Sequence, residues 1–170
     1  MSNPLVGIIM GSDRDLGVMG QAAKTLEEFG IANEVKVVSA HRTPDKMSEY
    51  AREAKERGIK VIIAGAGGSA HLPGMTASET TLPVIAIPIK REHHGHEAFW
   101  SNIRMPSGIP LATMPENGAK NGALLAVRIL ALQDEALAGK YAGFVKKQSN
   151  AVAEINAALE EKGWESILNP

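Results

Sequence analysis

Short apolar runs alternate along the chain with longer segments of helical periodicity, and this alternation constrains the fold more than any other feature of the sequence. The runs at 5–10 and 61–63 are continuously apolar, as is typical of parallel strands that are buried on both faces. Strands that alternate with helices predict an α/β fold, in which helices cover both faces of a parallel sheet and the crossovers are right-handed. The predicted strands are 5–10, 34–38, 60–64, 83–88 and 110–114.

The helices between and after these strands are predicted from apolar residues at three- and four-residue spacing. Thr43 precedes Pro44, and proline suits the first position of a helix, so Thr43 is predicted to cap the helix that follows. The last two predicted helices, 119–137 and 139–161, lie beyond the fifth strand.

The 170 residues match the usual size of one domain, and no repeat, linker or low-complexity tract divides them. We therefore expect a single domain over residues 1–170. The terminal helix, 139–161, is long for its place after the last strand. The pattern suits two roles equally well: packing on its own sheet, or docking on a neighbouring subunit.

The charge balance and the missing residue types exclude several classes of function. There are 18 Lys and Arg against 19 Asp and Glu, whereas a nucleic-acid-binding domain usually carries a strongly basic face. The chain has no Cys, which excludes thiol nucleophiles, thiolate metal sites and disulfides. No apolar run approaches the roughly 20 residues that cross a bilayer, and residues 1–4 lack the features of a signal peptide. We expect a soluble, cytoplasmic protein without nucleic-acid or membrane partners.

Three polar or glycine-rich loops, 11–15, 39–42 and 65–71, each follow a predicted strand. Because the carboxyl ends of parallel strands lie at one edge of a sheet, these loops are expected to meet there. The third loop leads from a buried strand through three glycines into the start of a helix, and such a start presents backbone N–H groups to an anion. An anion-binding pocket is therefore predicted at this edge.

The side chains on these loops are chemically complementary. Ser12 and Asp15 can accept hydrogen bonds from backbone groups or from a ribose, and the planar guanidinium of Arg42 suits a phosphate. His41 and His71 change charge near neutral pH. Together these residues predict a pocket for a phosphorylated small molecule, while simple helix capping stays open as the role of Ser12 and Asp15.

Two other motifs suggest different ligands. Residues 65–70 fit the dinucleotide fingerprint G-x-G-x-x-A, but the next strand ends without the acidic residue that would bind a ribose, so nicotinamide binding is not expected. Segment 92–97 holds three histidines between two glutamates, and it is either a metal site or a mobile polar loop. The crowded spacing, without a helical i, i+4 pair, favours the loop.

Five stretches of the sequence resemble the N5-carboxyaminoimidazole ribonucleotide mutases, the class I enzymes of bacterial purine synthesis. They are MGS at 10–12, SAHRTPDK at 39–46, AGAGGSAHLPGM at 64–75, MPSGIP at 105–110 and NGALLA at 121–126. The resemblance implies a flavodoxin-like three-layer α/β/α sandwich that assembles as a homo-octamer, with sites near subunit interfaces. It also implies a reaction that uses neither a metal nor an organic cofactor.

The reaction implied by the resemblance moves a carboxylate from the exocyclic nitrogen of an aminoimidazole ribonucleotide to ring carbon C4, a step of IMP biosynthesis. His41 would be the general acid and base, and His71 a second catalytic residue. Segment 90–96 would cover the site. The implied substrate-binding residues are Ser12, Asp15 and Arg42 at the ribose phosphate end, with Ser39, Gly67, Gly68, Ser69 and Leu72 around the rest of the substrate.

Two departures from the mutase pattern keep alternatives open. Arg14 stands where the family usually has a second serine, and it either contacts the phosphate or points to solvent. Segment 90–104 resembles the class II aminoimidazole ribonucleotide carboxylases, which fix free carbon dioxide, whereas Arg42 and residues 64–69 favour the mutase. The mutase is therefore predicted, with the carboxylase as the alternative. A second alternative is a non-catalytic flavodoxin-like nucleotide-binding module, which would have no use for His41.

Overall fold

The structure is a computed structural model that describes residues 3–91 and 96–168, except for the side chain of Ser166. The chain forms two compact units, one ending at Leu130 and the other beginning at Ala131. The first unit contains the sheet, and the described residues of the second form two helices. The expectation of a single domain remains a prediction.

In the described part of the chain, five strands form the sheet: β1 (Val6–Met10), β2 (Asn33–Val37), β3 (Val61–Gly67), β4 (Val84–Ile89) and β5 (Ala112–Thr113). All pairs are parallel, and the order is β2-β1-β3-β4-β5. β2 lies on one side of β1, and β3, β4 and β5 follow in turn on the other side, which is the strand order of flavodoxin-like folds. The predicted fold class is confirmed. Every residue of β1 and β4 is buried, which explains their continuously apolar sequences.

The helices of the first unit are α1 (Leu16–Glu28), α2 (Pro44–Glu53), α3 (His71–Glu79), α4 (Glu97–Ile103) and α5 (Ala119–Ala131), whose last residue is the first of the second unit. A 3-10 turn, Asp13–Asp15, leads into α1. The second unit holds α6 (Glu135–Lys162) and α7 (Glu165–Leu168). Within the described residues, none of these helices is both long enough and apolar enough to cross a membrane.

The strand register places the carboxyl ends of the first three strands side by side. Met10 is paired with Val37 of β2 on one side and with Gly65 of β3 on the other. Gly65 is required here because Met19 of α1 packs directly over it, and a Cβ at this position would lie 2.3 Å from the Met19 sulfur. The loops that follow β1, β2 and β3 therefore start next to one another, as the sequence predicts.

The predicted boundary between the last two long helices is wrong. We predicted helices at 119–137 and 139–161, but α5 ends at Ala131 and α6 begins at Glu135. The side chain of Asp134 accepts a hydrogen bond of 2.9 Å from the backbone N–H of Leu137, and this N-cap starts a new helix. Gly139 lies inside α6, because a single glycine weakens a helix without ending it.

Thr43 lies at the N-cap position of α2, as predicted, but the expected capping role of its side chain is not confirmed. Among the residues described, its hydroxyl makes no capping bond to α2. The hydroxyl instead accepts the Ser39 N–H at 2.9 Å and donates to the Ser39 carbonyl at 3.1 Å. Thr43 therefore closes the loop between β2 and α2, because its hydroxyl bonds to both the N–H and the carbonyl of Ser39 at the start of that loop.

Candidate active site

The loops after β1, β2 and β3 line a cavity of about 300 Å³. Two histidines meet in its wall, one from the closed loop after β2 and one from the first position of α3. The Nε2 atom of His41 and the Nδ1 atom of His71 are 2.8 Å apart, and the two rings are nearly perpendicular at 88°. One of these nitrogens has to donate and the other to accept, so the bond between the rings contains a single proton.

A left-handed turn before α3 sets the position of His71. Gly68 has a φ angle of 63° and Ala70 has a φ angle of 47°. For alanine this conformation costs about 1–2 kcal/mol. The cost is offset because the Ala70 N–H donates to the Gly67 carbonyl at 3.2 Å and the Ala70 methyl group is buried. Strained backbone immediately before a candidate catalytic residue is typical of functional sites.

Arg42 links two of the loops that line the cavity. Its backbone N–H donates to the Ser39 hydroxyl at 3.2 Å, and its Nη2 donates to the Gly11 carbonyl at 2.7 Å. The guanidinium is therefore held between the ends of β2 and β1. Because a guanidinium has five N–H donors, further donors remain for an anion in the cavity.

Ser12 caps the 3-10 turn, which agrees with the simpler of the two roles considered for it. Its hydroxyl accepts the Arg14 N–H at 3.2 Å and donates to Asp13 Oδ1 at 2.9 Å. The bond from the Ser12 hydroxyl lowers the pKa of Asp13. Ser12 also lines the cavity, whereas Arg14 is exposed and lies outside the lining.

Asp15 is the buried carboxylate of the cavity and is only 2% exposed. Its Oδ1 accepts a hydrogen bond from Nη2 of Arg91, the second residue after β4, and the two form an ion pair. Burial raises the pKa of Asp15, and Arg91 opposes that rise. Its carboxylate caps no N–H of α1 within the described chain, so helix capping does not explain this residue.

The cavity lining contains all but two of the residues predicted to act in catalysis or substrate binding. The exceptions are Gly68 and Ser69, which belong to the turn between β3 and α3. The predicted residues in the lining are Ser12, Asp15, Ser39, His41, Arg42, Gly67, His71 and Leu72. Their roles remain predictions. The segment expected to form either a metal site or a mobile loop, 92–97, falls largely on residues 92–95, which lie outside the described residues.

Sequence reasoning missed one charged residue of the lining, Arg91. The sequence alone assigns it only to the segment that covers the site. Its position just after β4, at the same edge of the sheet as the other three loops, was the available signal. That position alone does not reveal its partner, because Asp15 lies 76 positions earlier in the sequence.

The arrangement combines three chemical functions within one cavity. Arg42 can supply positive charge for an anion, Asp15 can supply a buried acceptor for hydroxyl groups, and the paired imidazoles of His41 and His71 can supply a proton-transfer group. This combination suits a phosphorylated sugar that undergoes proton transfer.

Comparison with known proteins points to one family. The sequence profile of AIR carboxylase matches residues 5–151. The chain is 54% identical over 167 residues to the N5-carboxyaminoimidazole ribonucleotide mutase of Pyrococcus horikoshii, which covers 98% of this chain and 94% of that protein. It is 53% identical over 167 residues to the mutase of the same name from Thermotoga maritima, covering 98% of each.

A solved structure with the same fold supports the relationship. The crystal structure of Treponema denticola PurE superimposes with a TM-score of 0.85 at 32% sequence identity. The match covers 92% of this chain and 98% of that one.

Proposed function

The chain belongs to the AIR carboxylase family, and we propose that it converts N5-carboxyaminoimidazole ribonucleotide to 4-carboxy-5-aminoimidazole ribonucleotide in purine biosynthesis. Both relatives compared above are more than half identical to it and carry the mutase name. The observation that carries the proposal is the pairing of His41 with His71 in the cavity that Arg42 also lines. A binding-only module could use the arginine, but it would have no use for the paired imidazoles.

The reaction is an isomerisation, so the site has to recover each proton that it supplies. Protonation of the exocyclic nitrogen breaks the bond between that nitrogen and the carboxylate carbon, and carbon dioxide is released. Ring carbon C4 then attacks the carbon dioxide, and the proton on C4 leaves. We assign both transfers to His41, which donates the first proton, accepts the second and is unchanged after one turnover.

His71 lets His41 change its charge without changing its position. The 2.8 Å bond between the two rings contains one proton. When one imidazole gains a proton, the shared proton can shift along this bond towards the other imidazole. The near-perpendicular rings also hold each other in orientation. We infer that His71 tunes the acid–base step and that His41 performs it.

The rest of the cavity would position the nucleotide and retain the carbon dioxide. Arg42 would bind the phosphate, and Asp15 would accept hydrogen bonds from the ribose hydroxyl groups. The turn from Gly67 to His71 would lie against the carboxylate. Carbon dioxide held beside C4 reacts as if at very high concentration, so positioning alone supplies much of the rate enhancement.

A paired assay on purified protein tests the proposal. One arm supplies the N-carboxylated ribonucleotide, and the other supplies aminoimidazole ribonucleotide with excess bicarbonate. Formation of the C4 carboxylate is followed in both. We expect fast turnover in the first arm only. Efficient turnover in the second arm that persists when the bicarbonate is lowered would instead assign the protein to the carboxylases, as segment 90–104 suggested.

We also propose that the protein works as a homo-oligomer, an octamer by the family resemblance, in the cytoplasm. α6 supports the first part, because Val145, Val152 and Ile155 lie at helical spacing and are each about half exposed. Its apolar side chains would be covered by a neighbouring subunit. The cytoplasmic location follows from the substrate, since a charged nucleotide is made and consumed inside the cell.

A further inference from the structure

Arg91 reaches Asp15 by crossing the backbone of Gly67. A Cβ atom at Gly67 would lie 2.6 Å from Nε and 3.3 Å from Cγ of Arg91. It would also lie 3.0 Å from the carbonyl oxygen of Ile89. Glycine at this position therefore leaves the groove along which the arginine side chain runs, because any side chain there would occupy the same space.

The ion pair connects two loops that are far apart in sequence. Asp15 precedes α1 and Arg91 follows β4, and their side chains meet across the end of β3. The carboxylate is almost fully buried, whereas the arginine side chain is 34% exposed. A buried carboxylate needs a partner to be retained in its charged form, and a guanidinium hydrogen bond also restricts its rotation.

The charges around Asp15 leave Arg91 as its direct cationic partner among the described residues. Asp13, on the same turn, acts on it as a like charge. Arg42, which lines the same cavity, is engaged with the Gly11 carbonyl, and His41 is engaged with His71. A hydrogen bond to the backbone at Ser12 assists the carboxylate but supplies no charge.

We propose that Arg91 is a specificity-determining positioning residue, which holds Oδ1 of Asp15 so that Oδ2 is directed at the ribose hydroxyl groups of the substrate. The inference rests on the proposed function and adds to it a residue outside the predicted substrate-binding set. A carboxylate accepts at both oxygens, so one can be held by the protein while the other binds the ligand. Without Arg91 the carboxylate would rotate or take up a proton, and its preference for a ribose would fall.

The test compares two ligands on the full chain by calorimetry: the product ribonucleotide and its 2′-deoxyribose analogue. Wild-type protein is expected to bind the ribonucleotide about tenfold more tightly than the analogue, because the hydroxyl group donates to a charged acceptor. Arg91→Met should bind the ribonucleotide about tenfold more weakly and bind the two ligands almost equally. A merely structural role would weaken both ligands alike and leave the preference unchanged.

Arg14→Met is the matched control, because it removes the same charge one residue from Asp15 and lies outside the cavity lining. It should keep the wild-type preference. Asp15→Asn should lose the preference for the ribonucleotide. The double variant with Arg91→Met should bind the ribonucleotide no more weakly than either single variant. Fully additive losses would contradict the proposal.

Gly67→Ala provides an independent variant if Arg91→Met does not fold, since it keeps the arginine and obstructs its path. It should lower the preference for the ribonucleotide as well. If wild-type protein discriminates between the ligands and every folded variant does so equally, the inference fails while the proposed function stands. If wild-type protein binds neither nucleotide, both fail.

Discussion

At the scale of single residues, the paired histidines make the most direct prediction about catalysis. His41→Asn is expected to lower kcat by about a thousandfold, which is within the usual range for loss of a general acid–base residue. His71→Asn should lower kcat by about tenfold, because His41 remains but loses its partner. Substrate affinity should change little in either variant. Steady-state kinetics check both, and near-wild-type kcat in His41→Asn would contradict its assignment.

The ion pair of Asp15 predicts a pH-dependent loss of stability. A carboxyl whose pKa is raised in the folded protein favours folding below its unfolded pKa, and this contribution is lost as the pH rises through the folded pKa. Arg91→Met removes a group that lowers the pKa of Asp15, so the pKa should rise further. The variant should lose about 2 kcal/mol of unfolding free energy near pH 8 and little near pH 4.

Urea denaturation at the two pH values measures this difference. Arg14→Met, which leaves the ion pair intact, should show a much smaller dependence, because the Asp13 carboxyl on which Arg14 acts is exposed. An equal loss at both pH values for Arg91→Met would mean that Asp15 is not the group responsible.

At this scale, the sequence could predict residues whose role depends on their own loop. It could not predict a role that depends on a distant partner. His41 and Arg42 could be predicted because they lie in the loop directly after a strand, and the topology of a parallel sheet brings such loops to one edge. Arg91 follows a strand in the same way, but its importance lies in the pairing with Asp15. A contact between residues so far apart in sequence leaves no local pattern.

At the scale of elements, the closed loop between β2 and α2 predicts an effect of a residue that does not line the cavity. Thr43→Val keeps the size of the side chain and removes both hydroxyl bonds to Ser39. We expect kcat to fall by about tenfold, because His41 lies within the loop and small displacements of a catalytic group are costly. Thr43→Ser, which keeps the hydroxyl, is the control and should restore activity. Equal activity of the two variants would contradict this role.

The positions of strands and helices were predicted well where burial determines them. They were predicted less well where local hydrogen bonds determine them. β1 and β4 are buried along their length, and their apolar runs give their positions closely. β3 continues to Gly67, three residues beyond the predicted end, because glycines without side chains give no apolar signal. The break between α5 and α6 depends on the side-chain bond of Asp134, which competes with strong helix formers on both sides.

At the scale of the whole molecule, the exposed apolar side chains of α6 predict that the protein is an oligomer. Replacing Val152 and Ile155 with lysine should lower the mass measured by light scattering, since charges would be buried in the contact. Asn150→Lys, on the opposite side of the helix, is the control. An unchanged mass in the double variant would exclude this side of α6 from the interface.

The fold class was predictable as a whole because the alternation of strands and helices extends through most of the chain. The division into two compact units was not, since no linker composition marks residue 131. The family resemblance added the reaction, which the residue pattern alone had narrowed only to a phosphorylated small molecule.

The central claim is that the carboxylate moves within one substrate molecule, and an isotope label tests it most directly. The N-carboxylated ribonucleotide, labelled with carbon-13 in its carboxylate, is converted by the enzyme in a large excess of unlabelled bicarbonate. Mass spectrometry then measures the label in the C4 carboxylate of the product. The account predicts that nearly all of the label is retained, because the cavity holds the released carbon dioxide beside C4. Complete exchange with the unlabelled pool would contradict it and would assign the protein to the carboxylases.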